Sequence, residues 1–202
     1  LRAEDRYLCI NPFFHAFGYK AGIVASLMTG ATLVPMAVFD LDAVSLLDTA
    51  RRLRDDGLYR SGRKLTGRPH LFLGAVDNPF VPPHDLRPLR LGRKIAAGAR
   101  FVQTQYCFDV AMLARYMASV RAEGLHERCH ILVGVGPLVS ARSARWMRAH
   151  VPGVHIPDEV VARLESARDP EDEGVRQCVE TIEAIRAIEG VSCTTAVHIC
   201  YG

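Results

Sequence analysis

The sequence predicts an α/β protein: a partial (β/α)8 TIM-type barrel holding about the last four βα units, with an α/β remnant at the N-terminus. Three observations predict it. Apolar runs bounded by turn residues start at positions 71, 101 and 130, a period of about thirty residues. Each run is followed by a segment whose apolar residues have helical spacing, and strand–helix alternation at that pace gives parallel βα units. No GxGxxG follows the first run, which argues against a dinucleotide-binding doubly wound sheet.

The elements follow in order. At the front, YLCIN and ATLVPM read as two short strands, and the apolar stretch before the second as a buried helix. LFLGAV (71–76) is a continuous apolar run, as a strand buried on both faces requires. LRPLRLGRKIAAG places Leu86, Leu89, Ile95 and Ala96 near one stripe, and Gly98 stops it. FVQTQY (101–106) is the next strand. Asp109 is a suitable N-cap for VAMLARYMASVRAEG, which puts Val110, Leu113, Met117 and Val120 on one face. HILVGVG (130–136) is the third strand, and the helical SARSARWMRAHV follows it. PDEVVARLESA opens with a proline that suits a helix N-terminus. EGVRQCVETIEAIRAIEG is the longest helix, with Val175, Val179, Ile182 and Ile185 in register, and AVHICY (196–201) is the fourth strand. A whole barrel needs eight units and about 250 residues. Residues 71–202 supply four, so half a barrel is expected, with open sheet edges that favour self-association.

Composition excludes several classes. Of the 202 residues, 49% are hydrophobic and 23% charged, an ordinary balance for a globular protein. The net charge of +3 comes with no aromatic–basic stripe, so no nucleic-acid partner is expected. The window AGIVASLMTGATLVPMAVF is broken by Gly30, Thr32 and Pro35, so no membrane span is expected there. The chain opens on LRAEDR without a secretory signal, and the missing initiator Met is read as the mark of a fragment. Cys9, Cys107, Cys129, Cys178, Cys193 and Cys200 form no CxxC pair; they read as small buried hydrophobes in a cytoplasmic protein. His126 and His130 are four apart with Cys129 between them. Gly124 ends a helix and a strand begins at His130, so the three share no helical face and no metal site is expected.

In a barrel, functional residues sit where strands end and βα loops begin. Those places are DNPFVPP (77–83), Gln105 to Phe108, and Gly136 to Val139. Gln103 and Gln105 lie on one side of their strand by two-residue alternation. A carboxamide at such a mouth offers one donor and one acceptor to a flat heterocycle, or else bonds loop backbone.

RPHLFLGAVDNPFVPP, LRLGRKIAAGARFVQTQYCFDV, GLHERCHILVGVGPLVSARSARWM and VPGVHIPDEVVARLE, in that order, resemble methylenetetrahydrofolate reductase, in the bacterial branch that carries NPF after its fifth strand. The resemblance runs from residue 38 to residue 202. It implies a flavoprotein on a (β/α)8 barrel that reduces 5,10-methylenetetrahydrofolate to 5-methyltetrahydrofolate, with FAD recharged by NADH or NADPH. It gives Gln105 the contact with the pterin and nicotinamide, and Tyr106 an aromatic contact with the folate substrate. Arg93 and Lys94 match a basic pair beside FAD, and Asn78 matches a loop near that cofactor. The family's glutamate acid and its flavin-tuning aspartate have no counterpart in these residues, so no catalytic residue is assigned. Ala141 and Arg142 also depart from branches with a phenylalanine over the substrate.

The front differs. DRYLCINPFFHAFGYKAGIVASLMTGATLVPMAVFDLDAV, within residues 1–43, resembles an acyl-CoA synthetase of the adenylate-forming superfamily, with His15 in its fourth core motif. That superfamily's phosphate-binding loop, later ATP-binding motifs and hinge lysine are not among these residues. VFDLD fits both families, so residues 37–44 read as a junction between a remnant (1–40) and a half barrel (41–202). Three functions are therefore in view. One is a reductase-like fragment whose FAD-mediated hydride transfer is impaired. The second is a non-catalytic remnant that binds folate or a partner chain, and the third is an acyl-CoA ligase fragment.

Overall fold

The computed structural model describes residues 6–9, 32–35, 42–67 and 69–196. The chain divides into two compact units, residues 1–73 with 198–202 and residues 74–197.

In the first unit, β1 (Arg6–Cys9) and β2 (Thr32–Pro35) pair in parallel, with Arg6 opposite Thr32. Both expected front strands are present. The helix expected before β2, His15 and the junction residues before Asp42 lie outside the described residues. Helix α1 (Ala43–Asp55) starts where Asp42 Oδ1 accepts the amides of Val44 at 2.8 Å and Ser45 at 2.9 Å. Those bonds, Ser45's above all, hold the Asp42 carboxyl below its usual range. Leu46, Leu47 and Ala50 are the buried face of α1. The boundary between the compact units falls after Leu73, so α1 belongs with the first of them.

The second unit is built on a four-stranded parallel sheet in the order β3 (Gly74–Asp77), β4 (Phe101–Tyr106), β5 (His130–Val135), β6 (Cys193–Ala196). Its helices are α2 (Arg87–Ala96), α3 (Val110–Ala122), α4 (Ala141–His150), α5 (Asp158–Ser166) and α6 (Pro170–Arg186). This α/β architecture with a parallel sheet is consistent with part of a TIM-type barrel. Among the described residues the strands make a two-stranded and a four-stranded sheet rather than a closed barrel.

One face of the sheet carries the core. Val102, Ile131, Val133 and Val135 pack against Leu91 and Ile95 of α2, Leu113, Met117 and Val120 of α3, and Ile185 of α6. A second cluster joins α4 and α5 through Ala144, Met147, Ile156, Val161 and Leu164. Helix α3 uses the expected face, and Asp109 caps it by accepting the Met112 amide at 2.8 Å.

The structure corrects several expectations. The first strand begins only at Gly74, with Leu71 to Leu73 ahead of it, and Gly74 lies against the Phe101 ring with no room for a side chain. The fourth strand begins at Cys193, before the expected 196–201, most of which lies outside the described residues. Ser192 starts it early, donating its amide to Ile131 O at 2.9 Å and accepting the Ile131 amide on its hydroxyl at 3.1 Å. On α2 the buried face is Pro88, Leu91 and Ile95, while Leu86 and Leu89 are exposed. On α6, Val175 and Val179 are exposed, and Glu173, Gly174, Gln177 and Ile185 turn inward. Glu173 is buried because Arg163, Arg176 and Gln177 all donate to its carboxylate. Gly174 faces the Leu138 carbonyl at a separation that leaves no space for a Cβ. Helix α6 also starts earlier than expected, at Pro170 behind the N-cap Asp169, and Pro157 stands at the N-cap of α5 rather than inside it. Among the described residues no helix is long and apolar enough to cross a membrane.

Candidate functional site

The C-terminal ends of β3 and β4 gather the residues of interest. β3 ends in Asp77, whose side chain faces the helices and is buried. Its Oδ1 accepts from Lys94 Nζ at 2.8 Å and its Oδ2 from the Tyr116 hydroxyl at 2.5 Å. Lys94 Nζ also donates to Val76 O at 2.7 Å. Burial first, and the Asp77 carboxylate second, push the Tyr116 phenol far above its ordinary range. This trio ties β3 to α2 and α3 and so fixes where the next residue, Asn78, emerges.

Asn78 spends both ends of its amide. Its Oδ1 accepts the Phe80 amide at 3.0 Å, closing the NPF turn, and its Nδ2 donates to Gly153 O at 2.8 Å. Gly153 has φ +76°, and a Cβ there would collide with that same amide nitrogen.

β4 does not run straight into its loop. Gln103 lies opposite Leu132, but Tyr106 lies opposite Gly134, so β4 carries one residue more than β5 across this interval. It is a β-bulge, and the Thr104 hydroxyl closes it. The Thr104 Oγ1 accepts the Gly134 amide at 3.1 Å and donates to Gln105 O at 2.8 Å, in a position only 5% exposed. Bulges of this kind re-aim side chains at the ends of sheets. Here burial still alternates through Tyr106, so Gln105 stays on the less buried side of the strand with Gln103. The Gln105 Oε1 accepts the Tyr106 amide at 3.0 Å and its Nε2 reaches Pro152 O at 3.4 Å. Two carboxamides, Asn78 and Gln105, therefore hold the successive carbonyls of Gly153 and Pro152. Asp109, at the start of α3, holds the same loop through His155, 3.5 Å from Oδ2 to Nε2. The segment between α4 and α5 is thus strapped across the ends of β3 and β4.

The other expected site residues fall as follows. Tyr106 is buried on the opposite side of the strand from Gln105, with its ring stacked on Phe108 at 5.7 Å. Arg93 is exposed on the last turn of α2. Lys94 is engaged with Asp77, as above. A small cleft at the ends of β4 and β5 is lined by Cys107, Phe108, Val135, Gly136, Leu138 and Gln177. Among the described residues no group of three His, Cys, Asp or Glu could hold a metal ion; His126 lies in a short turn and His130 at the start of β5, so they do share no helical face. Asp77, Thr104 and Tyr116 were not singled out from sequence. For Asp77 and Thr104 the signal was strand alternation, which puts a carboxylate and a hydroxyl on the apolar face, where each must find partners; Tyr116 lies on α3, where that signal does not apply.

Burial pushes the Cys107 thiol up to about 12 and the Cys129 thiol up to about 11. Both groups are therefore protonated at pH 8, and the thiolate is the reactive form. In the folded chain these two cysteines are expected to stay unlabelled by iodoacetamide at pH 8 and to label after unfolding in urea. Rapid labelling of Cys107 in the folded chain would contradict the packing described.

The arrangement defines a class: an α/β chain on a parallel sheet, with polar side chains gathered at the C-terminal ends of its strands. A family model for methylenetetrahydrofolate reductase matches residues 83–200, and the chain belongs to that family. A structure described as an uncharacterized protein from Clostridium thermocellum that binds two copies of 5-methyl-5,6,7,8-tetrahydrofolic acid superposes with a TM-score of 0.60 at 15% identity. That match covers 95% of this chain and 76% of the other. The chain is also similar to curated 3-[(3aS,4S,7aS)-7a-methyl-1,5-dioxo-octahydro-1H-inden-4-yl]propanoyl:CoA ligases. It is 38% identical over 117 residues to the one from Rhodococcus jostii (strain RHA1), and 36% identical over 133 residues to the one from Mycobacterium tuberculosis (strain ATCC 25618 / H37Rv). The chain spans only 21% and 24% of those two ligases. Matches to 55% and 64% of this chain are too long for residues 1–43, so the ligase likeness extends past the expected junction and overlaps the reductase family's segment.

Proposed function

We propose that this chain is a folate-binding member of the methylenetetrahydrofolate reductase family, with Gln105 as the residue that meets the pterin. The observation that carries the reading is the carboxamide of Gln105 at the end of a bulged strand, in a family that acts on folates. The folate-binding protein of similar fold supports the same ligand class. A pterin edge presents adjacent donors and acceptors in one plane, which a carboxamide matches with one of each. To meet it, Gln105 Nε2 exchanges its long bond to Pro152 O for one to the ligand, while Oε1 either keeps the Tyr106 amide or shares it.

FAD is the cofactor that the family implies, and it would supply hydride transfer from NAD(P)H. The donor set does not fit it as folded. Lys94 is held by Asp77 and Val76, and Asn78 by Gly153 and Phe80, which leaves exposed Arg93 alone of the three expected flavin contacts. No hydride step is derived for this chain, and the non-catalytic folate-binding reading is preferred to the reductase one. Calorimetric titration with 5-methyltetrahydrofolate tests it: saturable binding is expected, and no heat at millimolar ligand would refute it. The purified chain is expected to be colourless and inactive in an NAD(P)H–menadione assay with added FAD. Flavin absorbance with turnover would restore the reductase reading.

The proposal includes self-association. Among the described residues, β4 is the one strand paired with β3 in the four-stranded sheet, and an edge of that kind recruits another chain. Light scattering is expected to report a dimer or larger species, and a monodisperse monomer would remove this part of the proposal.

A further inference from the structure

The β-bulge at the end of β4 carries an inference about how the site is held. Gly134 donates its amide to a side chain, the Thr104 hydroxyl, and that hydroxyl in turn donates a hydrogen bond to the Gln105 carbonyl. Cys107 then donates its amide to Gly134 O at 2.8 Å, which resumes the pairing one residue out of step. One hydroxyl thus replaces the ladder bond that the extra residue removes, and it bonds the backbone of the very residue whose amide faces the mouth. Without it, the buried Gly134 amide lacks an acceptor and the orientation of the Gln105 peptide is no longer fixed.

We propose that Thr104 is the positioning residue of the folate site: its hydroxyl holds the bulge that presents the Gln105 carboxamide to the ligand. The inference rests on the folate reading above. Serine keeps the hydroxyl and loses only a methyl group. Valine keeps the shape and loses the hydroxyl. Alanine loses both and leaves room for a water.

The test is 5-methyltetrahydrofolate binding by the full chain, measured for the unaltered protein and for Thr104→Ser, Thr104→Val, Thr104→Ala, Gln105→Ala and the double variant Thr104→Val/Gln105→Ala. Thr104→Val is expected to weaken binding about fivefold, as loss of one buried hydrogen-bond partner does. Thr104→Ser is expected to bind within about twofold of the unaltered chain, since its hydroxyl can make both bonds. In the Gln105→Ala background the valine substitution is expected to add nothing, because its effect passes through Gln105. Urea unfolding of each variant checks that the fold persists, and Thr104→Ala stands in for Thr104→Val if the latter does not fold. Binding by Thr104→Val equal to that of the unaltered chain would overturn the inference. So would the same fivefold loss in the Gln105→Ala background, which would make Thr104 structural only. Failure of the unaltered chain to bind would overturn the folate reading and this inference with it.

Discussion

Replacing Asp77 by alanine is expected to lower the unfolding free energy by about 3 kcal/mol. The side chain of Asp77 is 2% exposed and that of Lys94 15% exposed, with 2.8 Å between them. Removing the carboxylate strands an ammonium in a mostly buried position and leaves the Tyr116 hydroxyl without its acceptor. Breaking a buried pair costs about 3–5 kcal/mol, and the partial access of Lys94 to water places this one at the lower end. A double replacement, Asp77→Leu with Lys94→Met, removes both charges and is expected to recover much of the loss, because an apolar pair of similar volume tolerates the site. Urea unfolding of the two variants decides. A change under about 0.5 kcal/mol in Asp77→Ala would show that the trio does not hold β3 to the helices.

Gln105→Glu is expected to weaken 5-methyltetrahydrofolate binding by ten- to a hundredfold, on the order of 1–3 kcal/mol for a lost buried partner. The change removes the donor Nε2 and places a carboxylate oxygen beside the Pro152 carbonyl, so the acid repels both the loop and any acceptor on the pterin. The Tyr106 amide keeps an acceptor in the variant, so the end of the strand is expected to survive and the unfolding midpoint to move little. Equal affinity in Gln105→Glu would remove Gln105 from the site.

Much of the second unit was legible in the sequence. β4 and the α3 face were readable because their apolar residues keep one period throughout, and Asp109 caps α3 as its type suggests. The faces of α2 and α6 were not. Apolar spacing chose Leu86, Leu89, Val175 and Val179, all of which are exposed. The inward face of α6 instead uses Glu173, made acceptable by Arg163 and Arg176, and Gly174, which admits the Leu138 carbonyl. Neither device carries a hydrophobic signal: a carboxylate reads as exposed whatever its neighbours, and Gly174 meets a carbonyl far away in sequence.

The site was legible in part. Alternation found the polar pair Gln103 and Gln105, and burial does alternate through Tyr106, but alternation gives no sign of the bulge between Gln103 and Tyr106. A one-residue shift depends on how β4 meets β5, which no single strand's sequence states. Lys94 looked like a cofactor contact only through its match to the family's basic pair beside FAD. Its partner Asp77 lies across the loop, on a strand where a carboxylate is unexpected.

The central claim is that a folate sits at the C-terminal ends of β3 and β4. A crystal structure of the full chain with 5-methyltetrahydrofolate is the decisive measurement. The pterin is expected at the C-terminal end of β4, with its edge within hydrogen-bond distance of the Gln105 carboxamide and the Pro152 bond released. A pterin bound away from the ends of β3 and β4, with Gln105 still on Pro152, would contradict the claim.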